Sequence, residues 1–352
     1  IACCLVGSEM CIRDRIRRPQ LGKTLDLLKR NGLEYFYDSD ITKSISSSVN
    51  GILSYDDLKN FKAEWKKPLH SKIYGFDGWT SPPSTQGYLT LSTLKAIEML
   101  GAEHNDIHRV IETYRIFAAD RDNITYDYGK NIKDFKGVDL DYLQEKIKLF
   151  NPNHSEKFNF PKPHGGGTAY MNTIDKDGLG VSLIQSNFHG IGSRIGVGSF
   201  GFFLHNRGCG FNLDSKHPNY LTPGRKPLHT LSPTIWSKNG NLEFIAGTRG
   251  GRYQPQLLIQ TILPYIQKSD SFEEIIKKPR WVIENFSSET ISKLSFEKIN
   301  NEDLEILLKK GHEVEVENKF NKAYGPISIT VSYTHLSCRR SGMCRYRGSP
   351  CH

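Results

Sequence analysis

A glycine triplet, Gly165-Gly166-Gly167, runs directly into Thr168 and then into the strand-like Ala169-Tyr170-Met171-Asn172-Thr173-Ile174-Asp175. That order suits self-cleavage. With no side chains upstream, the backbone can bend until the Thr168 hydroxyl reaches the carbonyl of Gly167. Attack there moves the acyl group from nitrogen to oxygen, and hydrolysis of the ester releases Thr168 as a new N-terminus. A terminal threonine carries nucleophile and base in one residue, because its α-amine can take the hydroxyl proton. A Gly-rich loop ahead of a strand is also the pattern of an ordinary turn, so the choice rests on the residues downstream.

Downstream of Thr168 lies an ordered series of polar and glycine-rich motifs. Asp175-Lys176-Asp177-Gly178 precedes Val181-Ser182-Leu183-Ile184-Gln185-Ser186-Asn187-Phe188 and Gly192-Ser193. Leu204-His205-Asn206-Arg207-Gly208-Cys209-Gly210-Phe211 comes next, then His217-Pro218-Asn219 and the Pro223–Pro233 stretch containing His229-Thr230. The series ends on Gly247-Thr248-Arg249-Gly250-Gly251 and Gln254-Pro255-Gln256. In this order the motifs resemble the γ-glutamyltranspeptidase family of N-terminal-nucleophile hydrolases, including its acylase-like branch, over roughly residues 16–330.

The resemblance implies a role for each matched position. Thr168 aligns with the processed nucleophile, with cleavage between Gly167 and Thr168 giving a large and a small subunit that stay associated. Gly250-Gly251 matches the oxyanion hole, where successive N–H groups reach a developing oxyanion only if no Cβ crowds the substrate; a plain turn is the alternative. Ser186 matches a hydroxyl that hydrogen-bonds the terminal threonine. His229 and Thr230 stand where the transpeptidases carry paired serines, and they are expected to line the substrate pocket. In the transpeptidases the run matching Asn206–Phe211 supplies an amide and a carboxylate for the α-amine of the glutamyl substrate. Here those two positions are Arg207 and Gly210. Arg207 is better suited to a substrate carboxylate, which it can meet with two parallel hydrogen bonds; a structural ion pair is the other use of such an arginine. The large-subunit arginine that binds the substrate α-carboxylate in the family has no counterpart in this chain.

The expected activity is therefore amide hydrolysis through an acyl-enzyme ester, on γ-glutamyl compounds such as glutathione. The alternatives are an acylase acting on another carboxylate-bearing amide, and a catalytically silent fragment or pseudoenzyme. No metal or organic cofactor is implied, since no ligand cluster or phosphate loop is apparent in the sequence. Family resemblance leans to a periplasmic or extracellular setting.

Composition narrows the partners. The formal net charge is +9, and four of those charges are arginines after Val331. The remainder has no basic run interleaved with aromatics, so nucleic acid is not an expected partner. No apolar run approaches the roughly 18 residues of a membrane span. Six of the seven cysteines lie in residues 1–15 and 331–352, leaving only Cys209 in the body. Those two terminal segments fit no part of the family pattern and look like translated adaptor read-through, expected to pack outside the core. A pair of disulfide-bearing tails is the alternative.

The positioning elements are read from periodicity. Pro19 to Arg30 reads as a helix stopped by Gly32. Ile41, Ile45 and Val49 make a second stripe. Pro82-Pro83-Ser84-Thr85-Gln86-Gly87 opens the strongest helix, with Tyr88, Leu91, Leu94, Ile97 and Leu100 on one face and Gly101 as its stop. Asn105 or Asp106 caps another, with Ile107, Val110, Ile111, Tyr114 and Phe117 inward. Residues 152–167 read as an exposed linker. Strands are expected at 171–174, 181–184, 200–204, 235–236 and 242–245, and helices at 254–267 and 272–277. Together with the resemblance, this implies an α/β fold of αββα type, a four-layer sandwich lacking the N-terminal part of its large subunit. The expected parts are residues 16–167 and 168–330.

Overall fold

The computed structural model describes residues 17–157, 167–283, 293–317, 320–321, 324–332, 337–339 and 343–345. Residues 1–15, Gly165, Gly166 and most of the tail lie outside the described residues. The chain divides into two compact units: Ile1–Glu64 with Ile191–His205, and Trp65–Gly190 with Asn206–His352.

The first unit is built on three helices, α1 (Pro19–Asn31), α2 (Asp40–Ser48) and α3 (Tyr55–Asn60). Gly32 ends α1 at φ +85°, a conformation that glycine adopts without a Cβ penalty. Ser39 caps α2 in a capping box with Thr42. Ile41, Ile45 and Val197 form a small core, with Phe36, Phe200 and Phe202 packed against it. The strand expected at 200–204 is not formed. Instead Gly198–Phe200 is a turn of 3-10 helix, and the Phe200 carbonyl accepts from Thr24 Oγ1 at 2.8 Å. Its alternating aromatics supply plugs for the α1–α2 core rather than a sheet face.

The second unit centres on an antiparallel seven-stranded sheet of order β1-β2-β5-β6-β10-β11-β12. Its strands are β1 (Leu69–Ile73), β2 (Phe76–Thr80), β5 (Thr234–Lys238), β6 (Asn241–Thr248), β10 (Ile327–Val331), β11 (Ser337–Arg339) and β12 (Met343–Arg345). Between β2 and β5 in sequence come β3 (Gly167–Ile174) and β4 (Gly180–Phe188), which pair as a separate two-stranded sheet. The turns Tyr74-Gly75 and Asn239-Gly240 have positive φ at both residues, the form whose twist matches flanking antiparallel strands.

Side chains alternate across a strand, and β6 shows what each face meets. Phe244 and Ala246 join the main core, where Leu91, Leu94, Leu257 and Ile262 arrive from two helices, α4 (Tyr88–Met99) and α7 (Tyr253–Ile266). The opposite face carries the β3–β4 hairpin. Asn172 Nδ2 donates to the carbonyls of Ile245 and Ser328 at 3.3 and 3.2 Å, and a Cβ on Gly247 would lie 2.0 Å from the Tyr170 ring. The order helix, sheet, sheet is the one the αββα expectation requires. The outward side chains of the hairpin, Met171, Val181 and Leu183, are exposed.

Helix α4 differs from its expected one-sided stripe. Leu89, Thr90, Ser92 and Thr93 are buried along with Leu91 and Leu94, so α4 is enclosed all round. The reason is a second helical layer, α5 (Ile107–Ala119) and α6 (Leu140–Ile147), which forms a further cluster with Leu89, Ala96 and Phe117. Asp106 caps α5 by accepting from the Arg109 N–H at 3.2 Å. A three-stranded sheet of β7 (Trp281–Ile283), β8 (Leu294–Phe296) and β9 (Val314–Val316), crossed by α8 (Asn301–Lys309), completes the described unit. Helix α7 is stitched to its neighbours through buried glutamines. Gln256 Oε1 accepts from the Ile283 N–H at 2.7 Å, and Gln254 Oε1 from that of Ser232 at 3.0 Å.

Two boundary expectations are corrected. The described part of the 152–167 linker is anchored: Ser155 is buried, its hydroxyl donates to Glu112 Oε1 at 3.1 Å, and Arg115 Nη2 donates to the Glu156 carbonyl at 2.9 Å. At the other end, Val331 is buried and pairs with Phe244, so β10 crosses the expected boundary at 330. Beyond it Ser337–Arg339 pairs with β10, and Met343–Arg345 with that strand in turn.

Candidate active site

Thr168 heads β3 and lies opposite Ser186 of β4, beside an irregularity in the ladder between Gly167 and Thr168. Its Oγ1 donates to Ser186 Oγ at 3.2 Å. Ser186 Oγ also accepts from the Phe188 N–H at 2.9 Å, which turns its lone pairs toward the strand end. The expected Thr168–Ser186 pair is thus brought together, and strand register does the work. Two residues on, Tyr170 lies over Gly247, and Asn172 bonds the Ile245 carbonyl. Gly250-Gly251 follows the end of β6 at Thr248, the strand that these two hairpin residues contact.

Gly250 and Gly251 have φ of +118° and +59°. Glycine is required here, since a Cβ on Gly250 would lie 2.7 Å from the Tyr324 carbonyl. Their carbonyls accept from the first turn of α7, Gly250 O from Tyr253 N at 3.1 Å and Gly251 O from Gln254 N at 3.3 Å. A peptide plane points its N–H opposite its C=O. With the Gly250 carbonyl drawn into the helix start, the Gly251 N–H faces away from it, the orientation an oxyanion donor needs.

Arg207 is buried, lies 4.3 Å over the Phe188 ring and reaches Thr230 Oγ1 at 3.5 Å. Burial pushes its guanidinium down to about 10. Phe188 holds φ +75°, a strained value for an aromatic residue, which places its ring between Arg207 and His189. Burial, and then Arg207, lower the pKa of His189, so its imidazole is neutral at pH 7. The structure thus brings Arg207 and Thr230 together. His229 is half-buried and its backbone bridges to Thr85, so its position is fixed by the loop before α4. Gly210 has a local reason to be glycine: a Cβ there would sit 2.6 Å from the Leu228 carbonyl.

Sequence reasoning missed the residues behind these loops. Gln86 and Arg121 are buried, and Arg252 sits buried next to Gly251 with its pKa lowered to about 9 by burial and then by Arg121. Gln86, in the Pro82–Gly87 motif just before the buried helix α4, was the available signal. Among the described residues no group of three or more His, Cys, Asp or Glu could hold a metal ion. No helix among them is long and apolar enough to cross a membrane.

Comparison with known proteins places the chain in a family. The chain is 30% identical to the glutathione hydrolase-like YwrD proenzyme of Bacillus subtilis, over 89% of this chain and 61% of that one. It is also 30% identical to the oxamate amidohydrolase proenzyme of Klebsiella pneumoniae, over 91% and 62%. The chain thus spans about six tenths of the length of these relatives. In three dimensions it is similar to the cephalosporin acylase from Bacillus halodurans, with a TM-score of 0.78 at 24% identity, covering 93% of this chain and 60% of that one. Residues 8–336 match the family described as gamma-glutamyltranspeptidase, a span that opens and closes inside the two terminal segments set apart by composition. The chain belongs to that family.

Proposed function

We propose that this chain carries the nucleophile of a self-processing amide hydrolase that acts on carboxylate-bearing amides, γ-glutamyl compounds among them. The observation that carries the reading is the Thr168 hydroxyl, hydrogen-bonded to Ser186 at the head of β3 and directly after Gly167. In processing, Thr168 Oγ adds to the Gly167 carbonyl. The C–N bond breaks as nitrogen takes the proton, and water hydrolyses the resulting ester to leave a Gly167 carboxylate and a Thr168 α-amine. In turnover, that amine takes the hydroxyl proton while Oγ adds to the substrate carbonyl. Gly250-Gly251 faces the oxyanion, and the proton then passes to the departing amine. Water releases the acid in a second addition.

The carboxylate preference rests on charge. Arg207 is a buried cation beside Thr230, and Arg252 adjoins the glycine pair, so both loops favour an anionic group. Glutathione and oxamate, named in two relatives, are both amides that bear a carboxylate.

Processing is the direct test. The protein should resolve into two bands on a denaturing gel, and amino-terminal sequencing of the downstream fragment should read Thr-Ala-Tyr-Met. Thr168→Ala should remain a single band. Active wild-type enzyme that stays in one piece would overturn the mechanism.

A further inference from the structure

Gln86 is fully buried, 0% exposed, at the end of the loop between β2 and α4. Its side-chain Nε2 donates to two backbone carbonyls, Thr230 O at 2.9 Å and Gly251 O at 3.0 Å. Its Oε1 accepts from Arg121 Nη1 at 3.2 Å. A guanidinium can only donate, so Arg121 settles which way the amide faces: oxygen toward Arg121, both N–H groups toward the carbonyls. The loop itself has little room to slide. The Gln86 N–H donates to the His229 carbonyl at 3.1 Å and the His229 N–H to the Ser84 carbonyl at 2.7 Å. A Cβ on Gly87 would lie 2.0 Å from Thr80 Oγ1, so the backbone is pressed against β2.

One primary amide therefore ties the Thr230 and Gly251 segments to a loop more than 140 residues before them. Gly251 sits at φ +59° and, lacking a Cβ, can rotate its following peptide at little cost. Its carbonyl is held by a long 3.3 Å bond from Gln254 N and by the 3.0 Å bond from Gln86. We infer that Gln86 is a positioning residue: it pins the Gly251–Arg252 peptide and so braces the end of the turn that carries the Gly250 and Gly251 N–H groups, and it fixes the spacing from that turn to the His229-Thr230 pocket wall. This rests on the proposed role of Gly250-Gly251 as the oxyanion donors. Arg121 acts one step further back, by orienting the amide.

Gln86→Met keeps the volume and removes both donors, leaving two buried carbonyls without them. In the full-length protein, kcat on γ-glutamyl p-nitroanilide should fall roughly 100- to 1,000-fold, the cost of a misplaced oxyanion donor, with KM changed far less. Hydrogen exchange should quicken in peptides covering 228–233 and 248–253 and stay unchanged in α4. Gln86→Glu presents a carboxylate to the same carbonyls unless it is protonated. Its activity relative to wild type should therefore rise as pH is lowered from 8 to 6, whereas the Met variant's ratio stays flat. A merely structural residue would not produce that profile. Should Gln86→Met fail to fold, Arg121→Met leaves Gln86 in place but frees its amide to turn, and the same two readouts apply. A kcat within threefold of wild type, or unchanged exchange at 248–253, overturns the clamp. A wild-type protein without amidase activity would instead overturn the functional reading, while exchange would still judge the clamp.

Discussion

In the proposed reading, Arg207 and Gly210 set what kind of amine or acid the pocket accepts. A side chain at 210 would run into the Leu228 carbonyl, 2.6 Å from its Cβ, so a carboxylate cannot stand there without moving that strand of backbone. The neighbouring cation is Arg207, stacked on Phe188 and buried. A substrate ammonium brought to this corner would meet a like charge where the transpeptidases offer an acid. Loss of one charge-assisted hydrogen bond costs about 1.5–3 kcal/mol, roughly tenfold to over a hundredfold in specificity. A γ-glutamyl anilide and the glutaryl anilide lacking the amine should therefore be hydrolysed with similar kcat/KM. Dipeptide acceptors should raise the rate little. Strong preference for the glutamyl compound, with stimulation by an acceptor, would restore an ordinary transpeptidase.

At the scale of elements, strongly periodic segments were legible and segments governed by distant partners were not. Helices α4 and α5 emerged from their apolar spacing, and the Thr168–Ser186 pair from matched motifs. The β1–β2 hairpin was missed, although Tyr74-Gly75 turns it, because His70, Ser71, Lys72 and Asp77 dilute its alternation. The 200–204 segment alternates like a strand yet packs its aromatics on α1 and α2. Gln86 was visible as part of a motif, but its bonds to residues 230 and 251 span more than 140 positions. The same limit hid the anchor of the segment that precedes Thr168. There Glu112 receives bonds from Arg115, Ser155 and the Glu156 N–H, and His312 Nε2 lies 2.8 Å from His108 Nδ1.

That anchor has a pH signature. Glu112 lies 3.9 Å from His312 Nδ1 and would favour a proton there, but Arg115 already neutralises the carboxylate. Burial, then Arg115 and His108, push His312 down to about 3, and burial lowers His108 as well. An unfolded histidine titrates near 6.5. Below that pH the unfolded chain binds a proton that the folded one refuses, so stability is full above ~6.5 and declines as pH falls toward 3. At about 1.4 kcal/mol per pH unit, His312 alone should remove roughly 2 kcal/mol between pH 7 and pH 5. His312→Gln should be less stable at pH 7 but lose that much less over the same interval in urea melts. Parallel pH dependence in the two proteins would show that His312 is protonated in the fold.

For the whole molecule, the position of Thr168 in the topology matters more than its position in the chain. Strands β1 and β2 and helices α4 and α5 precede it, whereas β5, β6, β10 and α7 come after it. Yet β2 pairs with β5 from Asp77↔Ser237 to Thr80↔Thr234, inside one continuous sheet. The main core mixes the two sides equally intimately, with Leu91, Leu94 and Val110 against Phe244, Leu257 and Ile262. Hydrolysis of the Gly167–Thr168 bond removes none of this burial. Each such side chain is worth roughly 1.5–3 kcal/mol, so these six alone are comparable with the ~4–15 kcal/mol cost of holding two free bodies together. Parting the pieces would also bare the edges of β2 and β5, a row of main-chain groups without partners. The processed protein should therefore elute from gel filtration as one species containing both fragments, and the fragments should separate only in a denaturing concentration of urea. If the two bands emerged in different fractions in native buffer, the shared sheet and core would not be what joins them.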